Sequence, residues 1–166
     1  KEGGELILAP VDNMVSQYQK ERELRVNGTE VSIEAGSLYN YEDVFTCYES
    51  FLITGKFRYE KGGSFGLCFD YNGREDKYKM ISISPEENKL QLFFNEGTVL
   101  IAEMELALDP EKEHSFTYLQ EGSVGIFYID GMAALTVRLY GVSGKAIKLF
   151  AENNSVVFSS LRQCTR

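Results

Sequence analysis

Apolar and polar residues alternate with a period of two along most of this chain, and turn-forming pairs cut the alternation into short runs. Phe51 and Ile53 stand against Leu52 and Thr54. Phe65, Leu67 and Phe69 stand against Gly66, Cys68 and Asp70, and Ala133, Leu135, Val137 and Leu139 against Ala134, Thr136, Arg138 and Tyr140. Ile81 with Ile83, Leu90 with Leu92 and Phe94, Phe116 with Tyr118, and Ile147 with Leu149 share faces in the same way. Such a period places every second side chain on one face of a β-strand, and no helix satisfies it. Between the runs stand Asn72-Gly73, Pro85-Glu86-Glu87-Asn88, Asn95-Glu96-Gly97, Asp130-Gly131 and Asn153-Asn154. Asn, Asp and Gly tolerate the positive φ angles that tight turns require. Leu24 to Val26, then Asn27-Gly28, then Val31 and Ile33 predict a β-hairpin by the same logic.

About a dozen short strands joined by turns predict two packed antiparallel sheets. The expected fold is therefore all-β: a two-sheet antiparallel β-sandwich of the concanavalin A-like or jelly-roll type. A closed barrel is the alternative architecture. The 11 Phe, 10 Tyr and 15 Gly agree with strands and turns. One short N-terminal helix is predicted after Pro10, because Val11, Met14, Val15 and Tyr18 recur at helical spacing. Residues 1–22 are read as an interdomain lead-in, a short strand at Leu6–Leu8 plus this helix, and residues 23–166 as the sandwich.

At 166 residues the chain can bury a core without disulfide or metal staples. Its net charge of −8 repels phosphate backbones, so nucleic acid and anionic membrane surfaces are not expected partners. No apolar stretch approaches the roughly 18 residues of a membrane span. Cys47, Cys68 and Cys164 lie far apart, in odd number, and Cys47 and Cys68 fall within strand patterns. They read as small apolar residues rather than a disulfide or zinc framework, which fits a reducing, cytoplasmic setting.

The search for catalytic chemistry returns little. His114 is the single histidine and follows Glu111-Lys112-Glu113, where a surface position is expected. No Gly-x-Ser-x-Gly elbow occurs. Asp70, Glu75 and Asp76 surround a turn without calcium-loop spacing and read as an acidic hairpin tip. No metal and no cofactor are expected. Glycosidases need two carboxylates about 5–10 Å apart, and the carboxylate that stands out is Glu49, between Cys47 and Phe51. Nine tyrosines scattered from Tyr39 to Tyr140 offer ring faces for sugar C–H groups, although no tryptophan is present.

Three stretches carry a family resemblance. Ser123-Val124-Gly125-Ile126-Phe127 with Gly131, then Leu135-Thr136-Val137-Arg138-Leu139-Tyr140, then Ile147-Lys148-Leu149-Phe150-Ala151 resemble, in that order, the C-terminal end of glycoside hydrolase family 32. Leu8-Ala9-Pro10-Val11-Asp12 is similar to that family's joint between propeller and sandwich. Phe65-Gly66-Leu67, followed by Lys77 to Ile83, Pro85 and Leu90, is similar to the middle of its sandwich. The resemblance implies that this chain is the non-catalytic C-terminal sandwich of a β-fructofuranosidase. The parent enzyme would act on sucrose, sucrose 6-phosphate or fructans. The implied role is structural support of an N-terminal catalytic propeller in the same polypeptide, with Leu6, Leu8, Val11 and Met14 buried at the joint. The alternative is a module that binds fructan or another glycan, with Arg138, Tyr140 and Glu49 as its contacts. A third reading is a sandwich used for protein contact.

The departures are specific. The Asp and Glu that the family carries in its Asp-x-Ser-Ser-Val-Glu-Val-Phe strand fall on Gln120 and Gly125 here. Its catalytic motifs are absent: Asp109-Pro110 follows Leu108 instead of Arg, and the three cysteines follow Thr46, Leu67 and Gln163, never Glu.

Overall fold

A computed structural model describes residues 9–36, 38–60, 62–70, 78–94, 99–139 and 145–166. The predicted all-β fold is present as two antiparallel sheets packed face to face, with one short helix, α1 (Asp12–Val15). The strands are β1 (Lys20–Arg22), β2 (Val31–Ile33), β3 (Tyr39–Thr46), β4 (Ser50–Tyr59), β5 (Ser64–Asp70), β6 (Tyr78–Ser84) and β7 (Lys89–Phe94). They continue with β8 (Val99–Glu105), β9 (His114–Glu121), β10 (Val124–Ile129), β11 (Ala133–Arg138), β12 (Ala146–Glu152) and β13 (Val156–Thr165). A seven-stranded sheet runs β1-β13-β4-β9-β10-β11, with β2 also on β13, and a six-stranded sheet runs β3-β12-β5-β6-β7-β8.

Local hairpins build β9-β10-β11 of one sheet and β5-β6-β7-β8 of the other, and long-range pairings place the remaining strands. The chain turns β10 into β11 at Asp130 and Gly131, whose φ angles of 49° and 66° are the left-handed pair a two-residue hairpin needs. Asn88 (φ 53°) closes the Pro85–Asn88 turn, and Asn153 (φ 49°) precedes β13. The alternation sends Phe51, Ile53, Phe57, Phe116, Tyr118, Phe127 and Leu135 inward from one sheet, and Phe65, Leu67, Phe69, Ile81, Leu90 and Leu149 inward from the other. All are buried. Full burial of side chains this large contributes about 1.5–3 kcal/mol each.

Three expectations are corrected. Val31–Ile33 does not pair with Leu24–Val26. It pairs with Val156–Phe158 of β13, while residues 23–30 form an irregular loop. The Asn-Gly signal is local, whereas β13 offers Val31–Ile33 a place in the seven-stranded sheet, and Gly28 (φ 79°) serves the loop instead. The helix is only Asp12–Val15, and its four apolar residues do not share a buried face. Val15 and Tyr18 pack on Leu52, Leu119 and Cys164 of the seven-stranded sheet, while Val11 and Met14 face outward. The Tyr18 hydroxyl donates to Glu121, whose carboxylate also accepts from Ser50 Oγ at 3.0 Å and Arg166 at 2.5 Å.

The third correction is His114. It is 4% exposed, not a surface residue. Its Nδ1 lies 2.5 Å from Asp130 Oδ2 and its Nε2 lies 2.8 Å from the Asp109 carbonyl. Its ring packs 5.4 Å from Phe57. Asp130 also accepts from the Ser115 backbone N–H at 2.7 Å. The hairpin Asp130-Gly131 thus brings a carboxylate to a histidine 16 positions earlier, a pairing that charge patterning along the chain does not reveal.

All three cysteines are free and buried, Cys68 in β5 and Cys47 just beyond β3. Burial pushes the Cys47 thiol up to about 11 from 9.0, with the Gln120 amide pulling slightly the other way. Burial, and then the charge of an ionised Cys47, push the Tyr118 hydroxyl well above its ordinary 10.0. The folded state therefore holds these protons more tightly than the unfolded chain. That stability is present in full below pH 9 and is lost as pH rises towards 11, at about 1.4 kcal/mol per pH unit for one group. Urea-unfolding midpoints are expected to fall steeply over this window, and Cys47→Ala to flatten the first part of the fall. A flat profile through pH 11 would contradict the assignment.

Candidate functional site

The outer face of the six-stranded sheet departs from simple alternation. An outer face should be solvated, yet Cys68, Met80 and Phe150 on it are buried. They lie under a layer of Tyr39, Tyr41, Tyr78 and Phe93. The rings of Tyr39 and Tyr41 stack with centroids 6.0 Å apart, and Tyr39 meets Phe150 at 5.7 Å. Lys148 Nζ stands 5.9 Å over the Tyr41 ring. This is a second, smaller apolar layer outside the main core.

Register explains the recess beside it. Pairing aligns Tyr39, Glu152 and Ser64 across β3, β12 and β5 in one row. The next row runs Tyr41, Phe150, Gly66, Ser82, Gln91 and Glu103 across all six strands. Gly66 and Ser82 are small, so the second row sags between Phe150 and Gln91. The resulting hollow has a volume of about 220 Å³ and is walled by Tyr39 and Phe93, with Ser82 and Ser84 between them. Gly62 and Gly63 form its rim. At Gly63 a Cβ would stand 2.2 Å from the Glu152 carbonyl oxygen, so only glycine lets the two strand ends approach there.

The polar groups of the hollow are mostly committed to one another. Ser64 Oγ donates to Glu152 Oε2 at 3.4 Å, and Ser84 Oγ donates to Gln91 Oε1 at 3.2 Å. Gln91 Nε2 donates to Glu103 Oε2 at 3.2 Å, and Glu103 pairs with Lys89 at 3.7 Å. Ser82 differs: it is 4% exposed, and no described residue pairs with its hydroxyl. The arrangement presents hydrogen-bond donors and acceptors on a floor between two aromatic rings. Among the described residues no group of three or more His, Cys, Asp or Glu is placed to hold a metal ion, and no helix is long and apolar enough to cross a membrane.

The sequence-predicted contacts lie elsewhere. Glu49 sits exposed on a bend before β4, off the apolar strand face on which its neighbours Cys47 and Phe51 placed it, and its carbonyl accepts from the Gly122 N–H at 2.8 Å. Arg138 is exposed at the end of β11. Its row runs Arg138, Val124, Glu121, Ser50 across the seven-stranded sheet. Glu49 and Arg138 therefore share one end of that sheet, about 14 Å apart at the usual strand spacing. Tyr140, Leu6 and Leu8 lie outside the described residues. Val11 is 62% exposed and Met14 38%. Asn72-Gly73, Glu75 and Asp76 also lie outside them.

Gln120 and Gly125, the two departures from the family resemblance, sit around one buried tyrosine. They are register partners on the inner face. The wholly buried Tyr118 donates its hydroxyl to Gln120 Oε1 at 3.0 Å, and Gln120 Nε2 donates to the Gly122 carbonyl at 2.9 Å. A Cβ on Gly125 would stand 2.0 Å from that hydroxyl oxygen. The space for a second side chain is filled by the tyrosine.

No protein-family model matches the sequence, and no curated protein matches it. Solved structures do match in fold. The carbohydrate-binding module CBM66 from Bacillus subtilis superposes with a TM-score of 0.59 at 13% identity, over 88% of this chain and 91% of that one. A galectin from Caenorhabditis elegans gives 0.54 at 9%, covering 89% and 96%. The sucrose-6-phosphate hydrolase from Lactobacillus gasseri gives 0.54 at 13%, over 92% of this chain but 30% of the hydrolase.

Proposed function

We propose that this chain is a non-catalytic accessory β-sandwich of a glycoside hydrolase and that it binds carbohydrate on the outer face of its six-stranded sheet. The observation that carries the reading is the hollow itself: a polar floor between Tyr39 and Phe93, onto which Ser82 opens a hydroxyl that pairs with no described residue. Sugar rings have apolar C–H faces and hydroxyl edges, and this surface complements both. The likeness to a named carbohydrate-binding module over nearly the whole of both chains supports it. The likeness to a minor part of a much longer hydrolase supports attachment to a catalytic domain. The family 32 resemblance narrows the parent to an enzyme acting on β-fructofuranosides.

Titration calorimetry with levan, inulin and fructose tests the reading. Binding is expected, and Tyr39→Ala is expected to weaken it at least fivefold. Arg138→Ala tests the rival contact set of Arg138, Tyr140 and Glu49, of which Arg138 and Glu49 share one end of the other sheet. No heat with any of these sugars would sink the binding reading.

One observation favours a second role beside it. Val11 and Met14 are apolar and exposed where the chain leads in, as a joint packed against an N-terminal propeller would require. This chain alone is expected to hydrolyse no sucrose, and the longer polypeptide to hydrolyse it. Hydrolysis by this chain alone would refute the accessory assignment.

A further inference from the structure

Resting on the carbohydrate-binding reading, we infer that the hollow selects neutral, unphosphorylated sugars, and that the Ser82 hydroxyl is the contact that anchors them. Three carboxylates line the hollow: Glu152 from β12, and Glu86 and Glu87 from the β6–β7 turn. Among the described residues no lysine, arginine or histidine lines it. Two described lysines of the same face are engaged elsewhere. Lys89 pairs with Glu103 at 3.7 Å, and Lys148 lies 3.9 Å from Asp43 and over the Tyr41 ring. A phosphate or uronate entering here would face like charges within a few ångströms, with part of its hydration stripped by the walls. Such a juxtaposition disfavours the anion.

The same carboxylates favour a neutral sugar. An ionised carboxylate only accepts, and it can take two hydroxyl donors at once. Ser64 already holds one oxygen of Glu152, which leaves that carboxylate's remaining lone pairs for a ligand. Ser82 supplies the complementary group, because a hydroxyl can both donate and accept. The residue is 4% exposed and its oxygen is not among the buried unpartnered atoms, so it opens onto the hollow, where a ligand hydroxyl can replace water. The hollow, at about 220 Å³, is smaller than the 300 Å³ or more of a drug-sized pocket. It therefore suits a single terminal ring.

Saturation-transfer NMR tests this on the intact chain with matched pairs: fructose against fructose 6-phosphate, glucose against glucose 6-phosphate, and galactose against galacturonate. Transfer to at least one neutral sugar is expected, with its anionic partner at least tenfold weaker. Glu152→Gln combined with Glu86→Gln should narrow that gap, and so should raising the salt from 50 to 500 mM, because a repulsion is screened and a steric exclusion is not. Ser82→Ala should weaken the neutral sugar at least fivefold without moving the thermal midpoint. An anionic sugar binding as well as its neutral partner would overturn the selectivity and leave sugar binding standing. A gap unmoved by salt and by the double variant would overturn its electrostatic origin. Transfer to no sugar, or transfer unaffected by both Ser82→Ala and Tyr39→Ala, would overturn the site itself.

Discussion

Phe57→Ala is expected to cost about 3–5 kcal/mol of folding stability, the range for deleting a buried aromatic ring. Phe57 is 1% exposed. Its ring centroid lies 5.1 Å from Phe65, 5.4 Å from His114, 6.3 Å from Phe116 and 6.5 Å from Phe158. Phe65 belongs to the six-stranded sheet and the others to the seven-stranded sheet, so this ring is where the two sheets grip each other. The cavity cannot collapse cheaply, because its lining comes from three different strands already fixed in register. In a chain of this size the midpoint of thermal unfolding should fall by roughly 10 °C. Lys56→Ala is the control. Lys56 is half-exposed and pairs with Glu113 at 3.6 Å, and its loss should stay within about 0.5 kcal/mol. A Phe57→Ala midpoint within 2 °C of the parent would show that the ring does not hold the sheets together.

Gly125→Glu is expected to remove most of the stability, although it restores the residue type that the family resemblance leads one to expect. The first added carbon would stand 2.0 Å from the Tyr118 hydroxyl oxygen and 2.5 Å from its Cζ. Tyr118 cannot yield, since it is wholly buried against Phe51 and Phe69 at centroid distances of 5.8 and 5.1 Å. The carboxylate would then be buried without a cationic partner, a change that costs several kcal/mol beyond the overpacking. Gly125→Ala isolates the steric part at about 1–3 kcal/mol. Tyr118→Leu in the same chain should relieve some of it, and a double-mutant cycle measures the coupling. Additive costs in that cycle, or a soluble and cooperatively folding Gly125→Glu variant, would mean that tyrosine and glycine do not compete for one space.

Both predictions bear on how much of this protein could be read from its residues in order. Period-two alternation around Phe65–Phe69, Ala133–Leu139 and Leu90–Phe94 identified strands and their buried faces, because a pleated backbone turns a local pattern into a face. Asp130-Gly131 was recognisable as a tight turn because its φ requirement belongs to two residues alone. Asn27-Gly28 misled for the complementary reason. It permits a turn, and whether a hairpin follows depends on which distant strand offers Val31–Ile33 a ladder.

The candidate site was illegible. Tyr39, Ser64, Ser82, Gln91 and Glu152 come from five strands, and no spacing along the chain announces them. The carboxylate that looked distinctive, Glu49, was conspicuous only for its apolar neighbours and turned out to be exposed on a bend. His114 looked like a surface residue because its sequence neighbours are charged, while its actual partner is Asp130, across a hairpin.

By itself, then, the sequence determined the fold class, most of the strands and the lack of family 32 catalytic motifs. Each of these depends on residues close together in the chain. Only the tertiary structure decided that β12 lies between β3 and β5, that Gly66 and Ser82 fall in one row, and that Tyr118 fills the space beside Gly125. Those outcomes depend on register and strand order. Both are set by the packing of two whole sheets against each other, a property of no single segment.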